Sequence, residues 1–149
     1  MVLVDLGAAK DTVRILAALQ AAYPHPSSPA DEALHDLLGP VSLETTGRAL
    51  EALRAGDAPG LGRILTQAQA DFDQRAGPVC PDQLGAPALH RLLDRVLRIE
   101  GVLGAKGVGS QGDGTAQVLC SGPRVQQEVC RVVSGELGMV PLTTVIRGV

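Results

Sequence analysis

Apolar residues in this chain occur either as short continuous runs or at helical spacing, and the two patterns predict the order of its elements. Four short runs predict strands, at Val2–Leu6, Ile99–Leu103, Thr115–Cys120 and Met139–Ile146. Apolar residues three and four apart predict six helices, which open near Lys10, Ser28, Ser42, Asp57, Pro87 and Pro123. Five helices therefore precede the second strand and one precedes the last. Because the helices are grouped before a mainly antiparallel sheet of about four strands, the predicted fold class is α+β.

Local signals place several helix ends. Asp11 or Thr12 can cap the first helix, and Ser28 followed by Pro29 is typical of a helix start. The pair Gly39-Pro40 ends the second helix, and the proline-rich segment 78–87 predicts a loop before the fifth. The predicted apolar faces are Val13, Leu16, Leu19 and Tyr23; Leu43, Leu50 and Leu53; Leu61, Ile64, Leu65, Ala68 and Phe72; Leu89, Leu92, Leu93, Val96 and Leu97; and Val125, Val129, Val132 and Val133.

Length and composition narrow the class of protein. The chain has 149 residues, which fits a single domain over 1–149. Its only aromatic residues are Tyr23 and Phe72, so the core is aliphatic and stacking on nucleic-acid bases is almost excluded. A net charge of −3 also argues against a nucleic-acid partner.

Cysteine usage and the N-terminal residues bear on the compartment. Cys80, Cys120 and Cys130 are widely spaced without a CxxC or a zinc pattern, so we expect buried free thiols and no metal site. Residues 1–6 lack the basic start and long apolar run of a signal peptide. No apolar stretch approaches the roughly 20 residues that span a bilayer. The expectation is a cytoplasmic protein that does not engage a membrane.

The segment 102–115 is the most informative part of the chain. Five glycines lie from Gly104 to Gly114, with Lys106, Ser110 and Asp113 among them. Glycine lets backbone N–H groups approach a ligand closely, and a glycine-dense turn with a lysine commonly holds an anionic or polyhydroxylated ligand. A tight hairpin without a ligand is the alternative.

Several familiar motifs are not supported. Residues 107–112 match GxGxxG, but the residues that follow predict a strand, whereas a dinucleotide site needs a helix there. Lys106 is followed by Gly107 rather than Ser or Thr, so the residues around it do not match a Walker A motif either. His25, His35 and His90 show no triad pattern and predict structural roles. The polar set on the fourth helix predicts solvated surface, and its members are Gln67, Gln69, Asp71 and Asp73.

Four segments together resemble the C-terminal half of the GHMP small-molecule kinases, the superfamily of galactokinase, homoserine kinase and mevalonate kinase. Residues 3–12 (LVDLGAAKDT) resemble the strand and lysine–threonine helix start that open that half, and both lysines of the chain, Lys10 and Lys106, lie in such segments. Residues 56–65 (GDAPGLGRIL) resemble its Gly-Asp helix. Residues 87–107 and 107–114 (GVGSQGDG) resemble the approach to its third motif and that glycine-rich loop.

The sequence departs from the family in two respects. Ser110-Gln-Gly-Asp113 replaces the glycine-rich centre of the third motif. The identity of the acceptor substrate therefore does not follow from the motif. The family's serine-rich phosphate loop and its catalytic aspartate belong to the N-terminal half, and these 149 residues contain neither. The resemblance therefore implies no catalytic residue in this chain.

For the complete enzyme the resemblance implies phosphoryl transfer from ATP, with Mg²⁺, to a sugar or small alcohol. It implies that the loop lines the substrate–phosphate cleft and that a separate or fused N-terminal half completes it. The implied lining residues are Lys106, Gly107, Gly109, Ser110, Gly112, Asp113, Gly114 and Gln69.

This hypothesis requires an open face beside the glycine-rich bend, and a bend filled only by its own side chains would contradict it. The alternatives are a non-enzymatic metabolite-binding or regulatory module and a structural interaction domain. An exposed apolar face would favour the kinase half over both.

Overall fold

The computed structural model describes residues 1–145 and shows the predicted α+β class. Its strands and helices are β1 (Val2–Asp5), α1 (Thr12–Ala22), α2 (Pro29–Asp36), α3 (Ser42–Arg54), α4 (Ala58–Arg75), α5 (Pro81–Leu84), α6 (Pro87–Val96), β2 (Val102–Gly107), β3 (Thr115–Cys120), α7 (Pro123–Gly135) and β4 (Val140–Thr143). A kinked turn at Leu37–Val41 joins α2 to α3. Among the helices of residues 1–145, none combines the length and apolar character needed to cross a bilayer.

The four strands form one antiparallel sheet in the order β2-β3-β1-β4. Val4 of β1 lies between Ala116 of β3 and Pro141 of β4. Pro141 has no N–H to donate, and it lies on an edge strand, where that donor is not required. The β2–β3 pair is the hairpin whose loop carries the glycine-rich segment.

One face of the sheet forms the main core. Val2, Val4 and Val118 are fully buried there against α6 and α7. On α6 the predicted residues Leu89, Leu92, Leu93 and Val96 are buried, and on α7 so are Val129, Val132 and Val133. The helical spacing therefore predicted both faces correctly, although Leu97 at the end of α6 remains 40% exposed.

The opposite face of the sheet is only partly covered, by α4 and α3. Helix α4 crosses β2 where Gly62 meets Gly104, and a β-carbon at Gly62 would collide with the carbonyl oxygen of Leu103. Two glycines thus permit direct backbone contact between helix and strand. Further along this face the edge-strand residues Val140 and Leu142 are 64% and 65% exposed.

On α4 the predicted residues Leu61 and Ile64 are buried, but the predicted apolar faces of α1 and α3 were largely wrong. On α1 the fully buried residue is Ile15, whereas Val13 is 78% exposed, because α1 packs against α2 and the segment 77–84 on its other side. On α3 the buried residue is Ala52, and the predicted leucines Leu43, Leu50 and Leu53 stay exposed. The spacing of apolar residues alone does not show which face of a helix packs against the other elements of the chain.

Two boundaries also differ from prediction. The proline-rich loop contains the one-turn helix α5, because Pro81 begins it and the amide of Leu84 bonds to Cys80 O at 2.8 Å. Six helices therefore precede β2 rather than five. The last strand ends at Thr143, and the predicted end at Ile146 lies outside the described residues.

Candidate functional site

The glycine-rich loop spans residues 108–114 between β2 and β3 and turns through left-handed backbone conformations. Gly109, Gln111 and Gly112 have φ values of 68°, 62° and 67°. Glycine adopts this conformation without strain, but glutamine rarely does. The conformation of Gln111 is therefore held in place by the contacts of its side chain.

The Gln111 side chain is 6% exposed and lies over the backbone of Gly107. Its Nε2 donates to Gly107 O at 3.3 Å, whereas its buried Oε1 has no donor among residues 1–145. A buried acceptor without a donor costs roughly 1–3 kcal/mol. Gln111 thus fills part of the bend and leaves a polar atom unsatisfied there.

Lys10, at the start of α1, also holds the loop. Its ammonium donates to Ser110 Oγ at 2.9 Å and to Gln111 O at 3.0 Å, and its stem packs on Gly114. Lys10 lies in a segment that resembles the kinase half, but it was not among the predicted site residues. The available signal was that the chain has only two lysines, both in segments resembling the kinase half.

Asp113 caps a neighbouring helix. Its Oδ1 accepts a hydrogen bond of 2.9 Å from the amide of Leu89 in the first turn of α6. The α6 N-cap residue Ala86 has no capping side chain and has a φ of 42°. Asp113 therefore replaces the local cap and ties the loop to α6.

Gln69 joins α4 to the loop. It is 3% exposed, its Oε1 accepts from the amide of Gly107 at 2.6 Å, and its Nε2 donates to Asp73 Oδ1 at 2.7 Å. Solvated surface was therefore the wrong prediction for Gln69, although the neighbouring pair of Gln67 and Asp71 is more exposed. Because both ends of its amide are bonded within the chain, Gln69 positions the loop backbone.

His90 extends this set of contacts to α6. Its Nε2 lies 3.0 Å from Asp73 Oδ2 and its Nδ1 lies 3.0 Å from Gly85 O. Burial lowers the pKa of His90, but the hydrogen bond and charge of Asp73 and the Gly85 carbonyl together raise it above its usual value.

Lys106 projects from β2 beside the loop. Its ammonium donates to Gly107 O at 2.6 Å, and burial lowers the pKa of Lys106. The ion pairs found within residues 1–145 do not include it. Lys106 is thus a half-buried cation without a carboxylate partner in the described part of the chain.

A cavity of about 300 Å³ opens between this lysine and the α3–α4 pair. Its polar lining residues are Lys106, Gln111, Asp71, Ser42, Thr45 and Thr46. The bend itself is partly filled by Gln111 and Lys10, but an open space borders it. The requirement for an open face beside the loop is therefore met on the Lys106 side.

Five amides of the loop donate no hydrogen bond within residues 1–145, those of Gly109, Ser110, Gly112, Asp113 and Gly114, although Gly112 is itself buried. The amide of Gly107 is used by Gln69. Consecutive backbone N–H groups in a turn form a concavity suited to an anion. Of the predicted lining residues, Gly109 has open space around it.

None of the three cysteines lines this cavity in the described part of the chain. Cys80 is buried as expected, but Cys120 and Cys130 are only partly buried, and all are free thiols. Burial raises the pKa of both partly buried thiols. Over residues 1–145 no cluster of three His, Cys, Asp or Glu residues could hold a metal ion.

Comparison with known proteins identifies the fold. No protein-family model and no curated protein matches the sequence. Among solved structures the chain is similar to the crystal structure of Lactococcus lactis galactokinase complexed with galactose, with a TM-score of 0.64 and 17% sequence identity over 95% of this chain. The chain spans 43% of the length of that galactokinase. The likeness shows the fold alone, an α+β fold consistent with a galactokinase C-terminal-like domain.

Proposed function

We propose that this chain is the substrate-side half of an ATP-dependent sugar or small-alcohol kinase, which transfers a phosphoryl group from ATP to a hydroxyl. The observation that carries the proposal is the fold likeness, which extends over 95% of this chain and 43% of a galactokinase whose structure holds galactose. The glycine-rich hairpin, with its free amides, supports a role near phosphate groups.

Within this proposal the loop forms one wall of the cleft. The unbonded amides of Gly109 and Ser110 would neutralise phosphate charge, and Lys10 and the buried Gly112 would hold the loop in shape. Gln69, Gly107, Asp113 and Gly114 would fix the loop rather than touch the substrate. ATP and Mg²⁺ would bind the complete enzyme, in which the phosphate loop and catalytic base come from an N-terminal half.

The exposed apolar surface supports a docking role for this chain. Val140 and Leu142, on the edge strand β4, are 64% and 65% exposed. Large contiguous apolar patches on a domain commonly mark an interaction surface. In the proposal this surface packs against the N-terminal half of the kinase.

The experiment combines sequencing with an activity assay. We expect a reading frame with a serine-rich phosphate loop upstream of the Met1 codon, and we expect the joined protein to form sugar phosphate with ATP and Mg²⁺ by mass spectrometry. We expect no product from the 149-residue chain alone. Robust turnover by that chain alone, or no turnover by the joined protein across a panel of sugars, would refute the proposal.

A non-enzymatic metabolite-binding module is the second candidate. The observation that favours it is that Lys10 and Gln111 complete the interior of the bend from within the chain, beside a formed cavity. Such a module predicts a self-sufficient surface. A monomer in solution that binds no hydrophobic dye would favour it over the kinase half.

A further inference from the structure

The cavity beside the loop is lined by apolar residues on one side and by polar and charged residues on the other. Its volume of about 300 Å³ lies at the lower end of the range for small-molecule sites. The side chains of Leu38, Val41 and Phe72 give it an apolar side. Hydroxyl, amide, carboxylate and ammonium groups converge on the rest of the wall.

Lys106 brings a positive charge to one side of the cavity, and Asp71 lines the same cavity without forming an ion pair with it. Lys106 is half-buried, and within residues 1–145 its ammonium donates one hydrogen bond, to the carbonyl oxygen of Gly107. Burial disfavours the charged ammonium, so an anion entering the cavity would restore the lost stabilisation.

The remaining polar groups suit hydroxyls. Thr45 and Thr46 bring hydroxyl groups to the cavity from α3, and Asp71 brings a carboxylate whose Oδ1 already accepts from Gln67 at 3.0 Å. Hydroxyl and carboxylate groups hydrogen-bond well to a ligand that carries several O–H groups.

We propose that this cavity binds a hydroxylated anion of monosaccharide size, with its anionic group beside Lys106 and its hydroxyls toward Thr45, Thr46 and Asp71. Sugar acids and sugar phosphates share this chemistry. If the chain is a kinase half, the acceptor substrate of the kinase would be such a hydroxylated anion. Only this extension to the kinase substrate rests on the proposed function.

The test compares D-galacturonate with D-galactose by titration calorimetry on the purified chain, without ATP. The two sugars differ only in whether C6 is a carboxylate or a hydroxymethyl group. A charge-assisted hydrogen bond predicts that D-galacturonate binds about tenfold or more tightly than D-galactose. D-Galactose 6-phosphate in a third titration distinguishes a phosphate from a carboxylate.

Substitutions of Lys106, with a matched control, test whether this lysine contacts the anionic group of the ligand. Lys106→Met should remove the preference for D-galacturonate, and Lys106→Arg should retain most of it. Arg63→Met is the control, because it removes a positive charge from an exposed position on α4 outside the cavity. Circular dichroism checks that each variant is folded, and the comparison of the three ligands on the wild-type chain keeps the inference falsifiable if the methionine variant unfolds.

Equal affinity for D-galactose and for both of its anionic counterparts, no binding of any of the three, or an anion preference unchanged in a folded Lys106→Met would overturn the inference. Failure of the proposed kinase function would appear separately, as absence of turnover in the joined protein. Binding of D-galacturonate through Lys106 would survive that failure.

Discussion

At the residue scale, Gly47 and Gly62 both lie inside helices, but only Gly62 packs against another element. Gly62 lies in α4 directly against the backbone of β2, whereas Gly47 lies on the exposed side of α3 with no atom within 4 Å of a β-carbon position. Helix propensity alone would treat both as weak points costing about 1 kcal/mol. The contact of Gly62 with β2 makes the expected effect of an alanine substitution different at the two positions.

We expect Gly62→Ala to lower the free energy of unfolding by about 2–3 kcal/mol, because the new methyl group would collide with the Leu103 carbonyl and push α4 from β2. The matched control Gly47→Ala should raise it by about 0.5–1 kcal/mol. Urea denaturation of both variants measures the difference. Similar effects at both positions would show that the α4–β2 contact is not as close as described.

His90 gives a pH-dependent prediction. Because its folded pKa is raised above 6.5, its stabilising contact with Asp73 is fully present below pH 6.5 and is lost as pH rises through the folded pKa. The pair is partly exposed, so the effect is small, at about 0.5–1 kcal/mol or less.

NMR titration of the His90 ring measures this directly. Asp73→Asn should lower the pKa of His90, because burial still disfavours the charged ring and the carboxylate no longer favours it. The stability difference between wild type and Asp73→Asn should be larger at pH 5.5 than at pH 8.5. An unchanged titration midpoint in the variant would contradict the ion pair.

At the element scale, α6 depends on a residue 24 positions away for its first turn. Its sequence supplies Pro87 but no local capping side chain, and Asp113 from the loop supplies the acceptor. This contact makes the conformation of the loop and the start of α6 interdependent. Capping by a distant residue was not visible in the spacing that predicted the helix.

We expect Asp113→Ala to lower the free energy of unfolding by about 1–2 kcal/mol, since the Leu89 amide loses its acceptor at a buried residue. Hydrogen exchange at Leu89 should accelerate. The control Asp94→Ala, at an exposed position of the same helix, should change stability by about 0.5 kcal/mol or less. If the two variants lose the same stability, Asp113 does not act as the cap.

At the scale of the whole molecule, the sheet is covered unequally. One face is buried by α6 and α7, and the other leaves the edge strand β4 with large exposed side chains. Unpaired edge strands with apolar side chains promote association with another chain or domain. The proposed partner half would remove this liability.

The double variant Val140→Thr and Leu142→Thr should reduce hydrophobic-dye fluorescence and self-association, because it removes apolar surface while keeping residues that favour strands. Stability should change by about 0.5 kcal/mol or less. Val13→Thr, which alters a still more exposed valine on α1, is the control and should leave dye binding unchanged. Dye fluorescence as strong as in wild type would place the exposed apolar surface elsewhere.

The sequence by itself determined the fold class, the hairpin and the local helix starts. Asp11, Ser28 and Pro29 act within a few residues of their own position, so their roles followed from the local pattern. The density of glycine likewise identified the loop, because left-handed backbone angles are a local requirement. The faces of α6 and α7 followed for the same reason, since their apolar stripes are unambiguous.

Only the tertiary structure decided which side of α1 and α3 is buried, where Gln69 points and which lysine holds the loop. Ile15 is buried and Leu43 exposed because packing depends on elements distant in the sequence. Lys10 reaches Ser110 across 100 positions, and Gln69 reaches Gly107 across 38. Helical and strand periodicity records the faces a segment can present, whereas the partner of each face is set by the arrangement of the whole chain.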